Sequence, residues 1–251
     1  MTFHLIDEAI NMLRIGIGIT KEITEPREKA TNLRLLAGMF DDLGLKDEAR
    51  ELLLDAAKAA LRIPDVDDRI MEIRAISSEL RYSGFLEDSL KILEDALKSV
   101  EDAYIEEKLY AFTQVISELL EAKALDFARE LVYRIIDLFP RIESVKIEDP
   151  DLLLDTFKFV AIFEKGDVLK DLFSIIILKL DDIEDSETRD DIYLDLAGII
   201  IRLGWIDELR EIILNKISHP ETKIEGIIKF VEFVVSQIEK LKDYSLEFEE
   251  D

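Results

Sequence analysis

An all-α fold, an α-solenoid of about five helical hairpins between terminal helices, is what this sequence predicts. Three observations predict it. Apolar residues recur at helical spacing along most of the chain, a turn signature returns about every forty positions, and the prolines fall in phase with it.

The hairpin is clearest around Gly44. Before it, Leu33, Leu36, Ala37 and Phe40 share one helical face; after it, Ala49, Leu52, Leu53, Ala56 and Ala60 do the same. Two amphipathic helices joined by a short glycine turn make an antiparallel pair, the glycine leaving the first helix in a left-handed conformation. Equivalent turns are expected at His4, Gly44, Gly84, Lys123, Gly166 and Gly204. Five positions later come Ala9, Ala49, Ser89, Ala128, Asp171 and Leu209, and nine positions later the apolar Leu13, Leu53, Leu93, Val132, Ile175 and Ile213. Asp7, Asp47, Glu87, Asp126 and Asp207 follow their turns by three positions, as N-cap or first-turn acids of the second helix. Pro26, Pro64, Pro150 and Pro220 each precede a first helix, where a missing N–H costs nothing, and Pro140 ends a second helix.

These signals divide one solenoid domain, 1–251, into an N-terminal helix (1–24), hairpins at 25–62, 63–101, 102–139, 149–182 and 186–217, a capping helix (221–241) and an acidic tail (243–251). Each hairpin leaves an apolar face that only stacking on its neighbours can bury.

Around Gly44 the chain resembles the tetratricopeptide (TPR) family. Leu36, Ala37 and Phe40 in the first helix, Leu43-Gly44 at the turn, then Ala49, Leu53 and Ala56 carry the resemblance. Ile76, Ser77, Leu80, Gly84, Ser89, Leu93 and Ala96 repeat it; Val115, Leu119, Ala128 and Val132 do so more loosely. The fourth unit departs at Lys158, Phe159 and Asp171, and Leu196, Ala197, Ile200 and Gly204 restore it. A period near 40 rather than the family's 34 implies longer helices or loops. The resemblance implies a right-handed α–α superhelix whose concave groove is lined by first-helix residues. By register these are Arg34; Met71, Arg74, Arg81 and Tyr82; Tyr110 and Thr113; Leu153, Thr156 and Val160; and Leu194 and Arg202.

Composition narrows the chemistry. With 57 acidic against 32 basic residues the net charge is −25, so the average surface repels phosphate backbones and direct nucleic-acid binding is not expected. Apolar runs such as 173–180 stop far short of the ~18 residues a membrane span requires. The acids Asp7 and Glu8 stand where a secretory signal would be basic and then apolar. There are no cysteines, which removes disulfides and thiolate metal sites. Scarce Asn and Gln with abundant Ile, Glu and Lys point to a heat-adapted, thermostable protein of the cytoplasm.

Two motifs invite catalytic readings. Asp181, Asp182 and Asp185 form a D-D-x-x-D, which resembles the magnesium-binding motif of all-helical isoprenoid diphosphate enzymes. Such an enzyme needs a second acidic cluster on a facing helix, and the stretch 190–195 lies too near in sequence to supply it. The run also falls in a loop between hairpins, where acids cap the next helix. The glycines at 16 and 18 lack the preceding strand and the spacing of a phosphate loop. His4 and His219 belong to no metal-binding pattern.

The expected function is therefore non-catalytic: a protein–protein interaction scaffold without a cofactor or metal, its groove taking a peptide or partner protein. The groove residues Arg34, Arg74, Arg81, Tyr82, Tyr110, Thr113 and Arg202 suit an acidic or carboxylate-ended segment, because arginine offers a bidentate fork. The alternative for the arginines is pairing with neighbouring acids. The magnesium enzyme is the alternative function, self-association through the end hairpins a third, and occupancy of the groove by the acidic tail an added expectation.

Overall fold

The computed structural model describes residues 2–247, with side-chain surroundings for residues 4–238. The fold is all-α, and no strand occurs among the described residues. The chain divides into two compact units, Met1–Leu138 and Phe139–Asp251.

Unit 1 holds α1 (Thr2–Thr20), α2 (Pro26–Asp42), α3 (Lys46–Ala60), α4 (Val66–Tyr82), α5 (Leu86–Lys98), α6 (Ile105–Glu121) and α7 (Leu125–Ile136). Helices α2 and α3, α4 and α5, and α6 and α7 pack as consecutive hairpins, and α2, α4 and α6 also pack in sequence. The first helices bury one stripe each. Ala30, Leu33, Ala37 and Phe40 in α2 are matched by Ile70, Ile73, Ser77 and Leu80 in α4, and by Leu109, Phe112, Ile116 and Leu119 in α6. Small residues recur at matched positions of the first two hairpins. Ala37 and Ala49 are both buried in the first hairpin. In the second, Ser77 and Ser89 replace them and share a buried 2.8 Å hydrogen bond, so polarity enters the core only with its partner.

The turn between hairpin helices is one device repeated. The amides of Leu45, Phe85, Ala124 and Trp205 donate back to the carbonyls of Phe40, Leu80, Leu119 and Ile200, and the preceding residue donates to the carbonyl three before it. That is the Schellman pattern, which requires a left-handed residue. Gly44, Gly84 and Gly204 supply it at φ 77°, 97° and 72°, and Lys123 supplies it at φ 58°, the sole non-glycine with positive φ among the described residues. His4 lies within α1 rather than at such a turn. The acids at 47, 87, 126 and 207 sit in the first turns of second helices whose N-caps are Leu45, Phe85, Ala124 and Trp205. Side-chain N-caps fall instead to the first helices, at Glu25, Asp65, Asp149 and Asp185.

Unit 2 holds α8 (Phe139–Ser144), α9 (Pro150–Phe163), α10 (Asp167–Asp181), α11 (Ser186–Leu203), α12 (Ile206–Glu211), running into a π-helical turn at Ile212–Lys216, and α13 (Pro220–Glu247). Pro140 lies near the start of α8 rather than at the end of a second helix. The fourth hairpin also departs from the sequence register. Gly166, at φ 69° and ψ −135°, is the N-cap of α10, and the left-handed turn is missing. Asp171 is exposed, Ile175 is half-buried, and Leu169, Leu172, Ile176 and Leu180 form the buried stripe. A cluster of Phe157, Phe173 and Trp205, with centroids 5.9–6.2 Å apart and both phenylalanines edge-on to the tryptophan, fills this hairpin's contact with the next. Helix α13 includes residues 243–247 of the acidic tail; residues 248–251 lie outside the described residues, as does any contact of the tail with a groove.

Candidate functional site

Three of the four arginines expected to line a groove are committed elsewhere. In unit 1 they reach from one first helix to the next. Arg34 donates to Glu72 at 2.9 Å and Glu79 at 2.7 Å. Arg74 bonds Gln114. Arg81 donates to Glu118 at 3.1 Å and Glu121 at 2.8 Å, and lies 4.5 Å above the Tyr82 ring. Arg27 with Asp68 extends the same ladder, and Arg50 with Asp88 makes a parallel link between the second helices α3 and α5. Every partner lies about one repeat further along the chain, so these ion pairs tie hairpin to hairpin. Glu118 is itself buried, so Arg81 neutralises a charge that the interior would otherwise have to hold alone.

The uncharged members of the set divide too. Tyr82 is exposed and Tyr110 half-buried, whereas Thr113 is buried, its hydroxyl donating to the Tyr110 carbonyl at 2.9 Å. Leu153, Thr156 and Val160 are core residues of α9, not groove-lining ones. Of the seven residues 34, 74, 81, 82, 110, 113 and 202, the first six stand in unit 1 and Arg202 stands in unit 2.

Around Arg202 the geometry is different. A groove of about 740 Å³ runs between the first helices of unit 2, floored by Ala161, Ile162, Gly198, Ile199 and Phe233, with Lys158, Arg202 and Lys229 at its margin and Asp195 as its acid. Lys158 and Lys229 hold only solvent-exposed pairs within their own helices, with Asp155 at 2.9 Å and Glu225 at 3.0 Å; such pairs are weak and readily exchanged. Arg202 is exposed and has no ion-pair partner among the described residues. The lining of the groove thus sets three cations and one acid beside an apolar floor. The open glycine at 198, whose Cβ position meets nothing, widens the floor.

The acidic motif is spent on structure. Asp181 accepts from the Tyr193 hydroxyl at 2.6 Å and Lys216 at 2.5 Å. Asp182 ends α10, and Asp185 caps α11 by accepting from the Thr188 amide at 2.8 Å. Partial burial works to raise the Asp181 carboxyl, but Lys216 and Tyr193 outweigh it and hold it below the usual carboxylate range. Among the described residues no group of three or more His, Asp or Glu is placed to hold a metal ion.

Sequence reasoning missed a second carboxylate. Asp190, fully buried in α11, accepts from the amides of Ser218 and His219 at 2.8 and 2.7 Å and meets the His219 Nδ1 at 2.7 Å. Burial pushes its carboxyl up, yet these donors prevail and hold it below the ordinary range. It fastens the loop before α13, and so sets one wall of the groove. It also missed Arg69 and Arg189, each the fourth residue of a first helix, each donating to a carbonyl six residues back, Ile63 at 2.8 Å and Ile183 at 3.1 Å. A basic residue at that position also recurs as Lys29, Lys108 and Lys223, a signal the sequence carried openly.

No protein-family model and no curated protein matches the chain. Among solved structures, the crystal structure of Ton1535 from Thermococcus onnurineus NA1 aligns with 89% of this chain and 85% of that one, at 13% identity and a TM-score of 0.37. A likeness at that level carries no argument about function. No described helix is long and apolar enough to cross a membrane.

Proposed function

We propose that this chain is a non-catalytic protein-binding scaffold of the TPR-like kind, working in the cytoplasm, and that the groove of unit 2 takes a peptide segment carrying carboxylates on one side and apolar residues on the other. The observation that supports this reading is the contrast between Arg202 and the other predicted groove arginines. Arg34 and Arg81 are consumed by acids of the next repeat and Arg74 by Gln114; Arg202 has no ion-pair partner among the described residues and stands beside an apolar floor. A desolvated guanidinium–carboxylate pair supplies orientation, and burial of Ile162, Ile199 and Phe233 against the segment supplies affinity.

Panning a random peptide library on the intact protein tests the reading. Enriched peptides should combine Asp or Glu with apolar residues, bind more weakly as salt is raised, and lose affinity at least tenfold on Arg202→Glu. Enrichment of basic peptides, or of none, would remove the proposal.

A further inference from the structure

The two terminal helices expose faces that every internal hairpin covers. Helix α1 stands in the register of a second helix. Its Ala9 and Met12 occupy the positions of Ala49 and Leu52 in α3, of Ser89 and Ile92 in α5, and of Ala128 and Leu131 in α7. All six of those are buried, Leu52 being 6% exposed, whereas Ala9 is exposed and Met12 is 59% exposed. Ile15, also exposed, stands where α3 and α5 carry Asp55 and Asp95. Buried second-helix positions have stayed apolar, and a solvent position has become so, on a helix with no first helix before it in the described chain.

Helix α13 is the converse. It stands in the register of a first helix: Ile224, Ile227, Val231 and Val234 align with Ala30, Leu33, Ala37 and Phe40, the buried stripe of α2. Here they are 58%, 45%, 51% and 38% exposed. The opposite face is the seated one, since Gly226 lies so close to Ile213 and Leu194 that a Cβ would crowd both. Beside the exposed stripe, Ile206, Leu209, Ile213, Leu214 and Ile227 line an apolar notch of about 160 Å³ between α12 and α13. In an internal repeat a following second helix would lie at such a place.

Helix α1 thus presents an uncovered face of second-helix register, and α13 an uncovered face of first-helix register. We propose that α13 of one molecule and α1 of another complete a hairpin between them, joining copies of this chain head to tail. The committed occupant is a second copy because the two faces are complementary in kind and in register. Two α13 faces would instead bring together two first helices. The contact is heterologous, so it extends to short chains or closes into a ring, rather than stopping at a two-fold dimer.

Sedimentation of the full chain across micromolar to near-millimolar concentration tests this, with two variants, Met12→Glu and Ile227→Glu. Both sites are solvent-exposed, so circular dichroism and unchanged melting check the fold. The wild type should gain mass with concentration beyond a dimer. Each variant alone should stay monomeric, and an equimolar mixture should form a dimer and grow no further, because one intact α1 meets one intact α13. A wild type that remains monomeric throughout overturns the proposal. So does a Met12→Glu variant that still self-associates, which would mean α13 pairs with itself, and so does a mixture of the two variants that stays monomeric.

Discussion

In unit 1, Arg34, Arg74 and Arg81 stretch from one first helix to polar side chains on the next; in unit 2, Arg202, near the end of α11, has no ion-pair partner among the described residues. The aromatic content is likewise divided. Unit 2 joins its hairpins through the clustered rings of Phe157, Phe173 and Trp205, whereas unit 1 relies on mostly aliphatic stripes, with Phe40 and Phe112 set singly in them, and on the cation ladder. The comparison teaches that one residue type on first helices meets two kinds of surroundings. An arginine is structural where the following repeat offers a polar side chain within its reach, and it stays open to solvent where no such partner stands beside it. Since Trp205 is the chain's single tryptophan, its fluorescence reports on unit 2, and circular dichroism reports on both units.

The ladder is the place to break this contrast first. Replacing Arg81 by Leu leaves the buried Glu118 without its counter-charge, and the expected loss is about 3–5 kcal/mol. Chemical denaturation should show it in the circular-dichroism transition with the Trp205 signal little moved; a loss below about 1 kcal/mol would make the ladder ornamental.

Asp190 is the corresponding anchor of unit 2. Its folded-state pKa is depressed, so the stability it confers is complete above the unfolded carboxylate value, about 3.9, and disappears as pH falls through the lower folded value. Asp190→Asn should cost about 1.5–3 kcal/mol at neutral pH, the range for hydrogen bonds to a charged group. The difference from wild type should shrink as pH falls below the unfolded carboxylate value, about 3.9. A gap independent of pH would show that packing, not charge, fastens the loop at 218–219.

The shared hairpin core gives smaller effects. Ser77→Ala should cost about 1 kcal/mol by stranding the Ser89 hydroxyl, and the Ser77→Ala, Ser89→Ala double variant should recover most of it. Smallest is Lys123→Gly, expected to stabilise unit 1 by roughly 0.5–1 kcal/mol, the left-handed cost relieved less the entropy glycine adds to the unfolded chain.

Much of the fold was legible because its signals are local. Glycine permits a left-handed exit at little cost, and 44, 84 and 204 use it; the period they set placed an equivalent turn at Lys123 without a glycine, though it also placed one at His4, which lies within α1. The fourth hairpin misled for the same reason: Gly166 has positive φ but serves as an N-cap, so a reading anchored on glycine put Asp171 and Ile175 at core positions they do not hold. The candidate site was far less legible. Arg34, Arg81 and Arg202 look alike in one dimension, and what separates them is whether an acid forty residues further on lies within about 3 Å. Helix rotation decides that, and periodicity does not resolve it to one residue. Asp190 was invisible because its partners are two backbone amides and a ring nitrogen 28 and 29 residues away.

The most direct measurement sets Arg81→Glu beside Arg202→Glu, each followed by thermal unfolding and by binding of the acidic peptide most enriched on the wild-type protein. Arg81→Glu should lower the melting temperature of unit 1 and leave the affinity of the folded protein unchanged; Arg202→Glu should leave melting unchanged and weaken binding at least tenfold. Undiminished binding by Arg202→Glu, or loss of binding in folded Arg81→Glu, would contradict the division of labour between the two units.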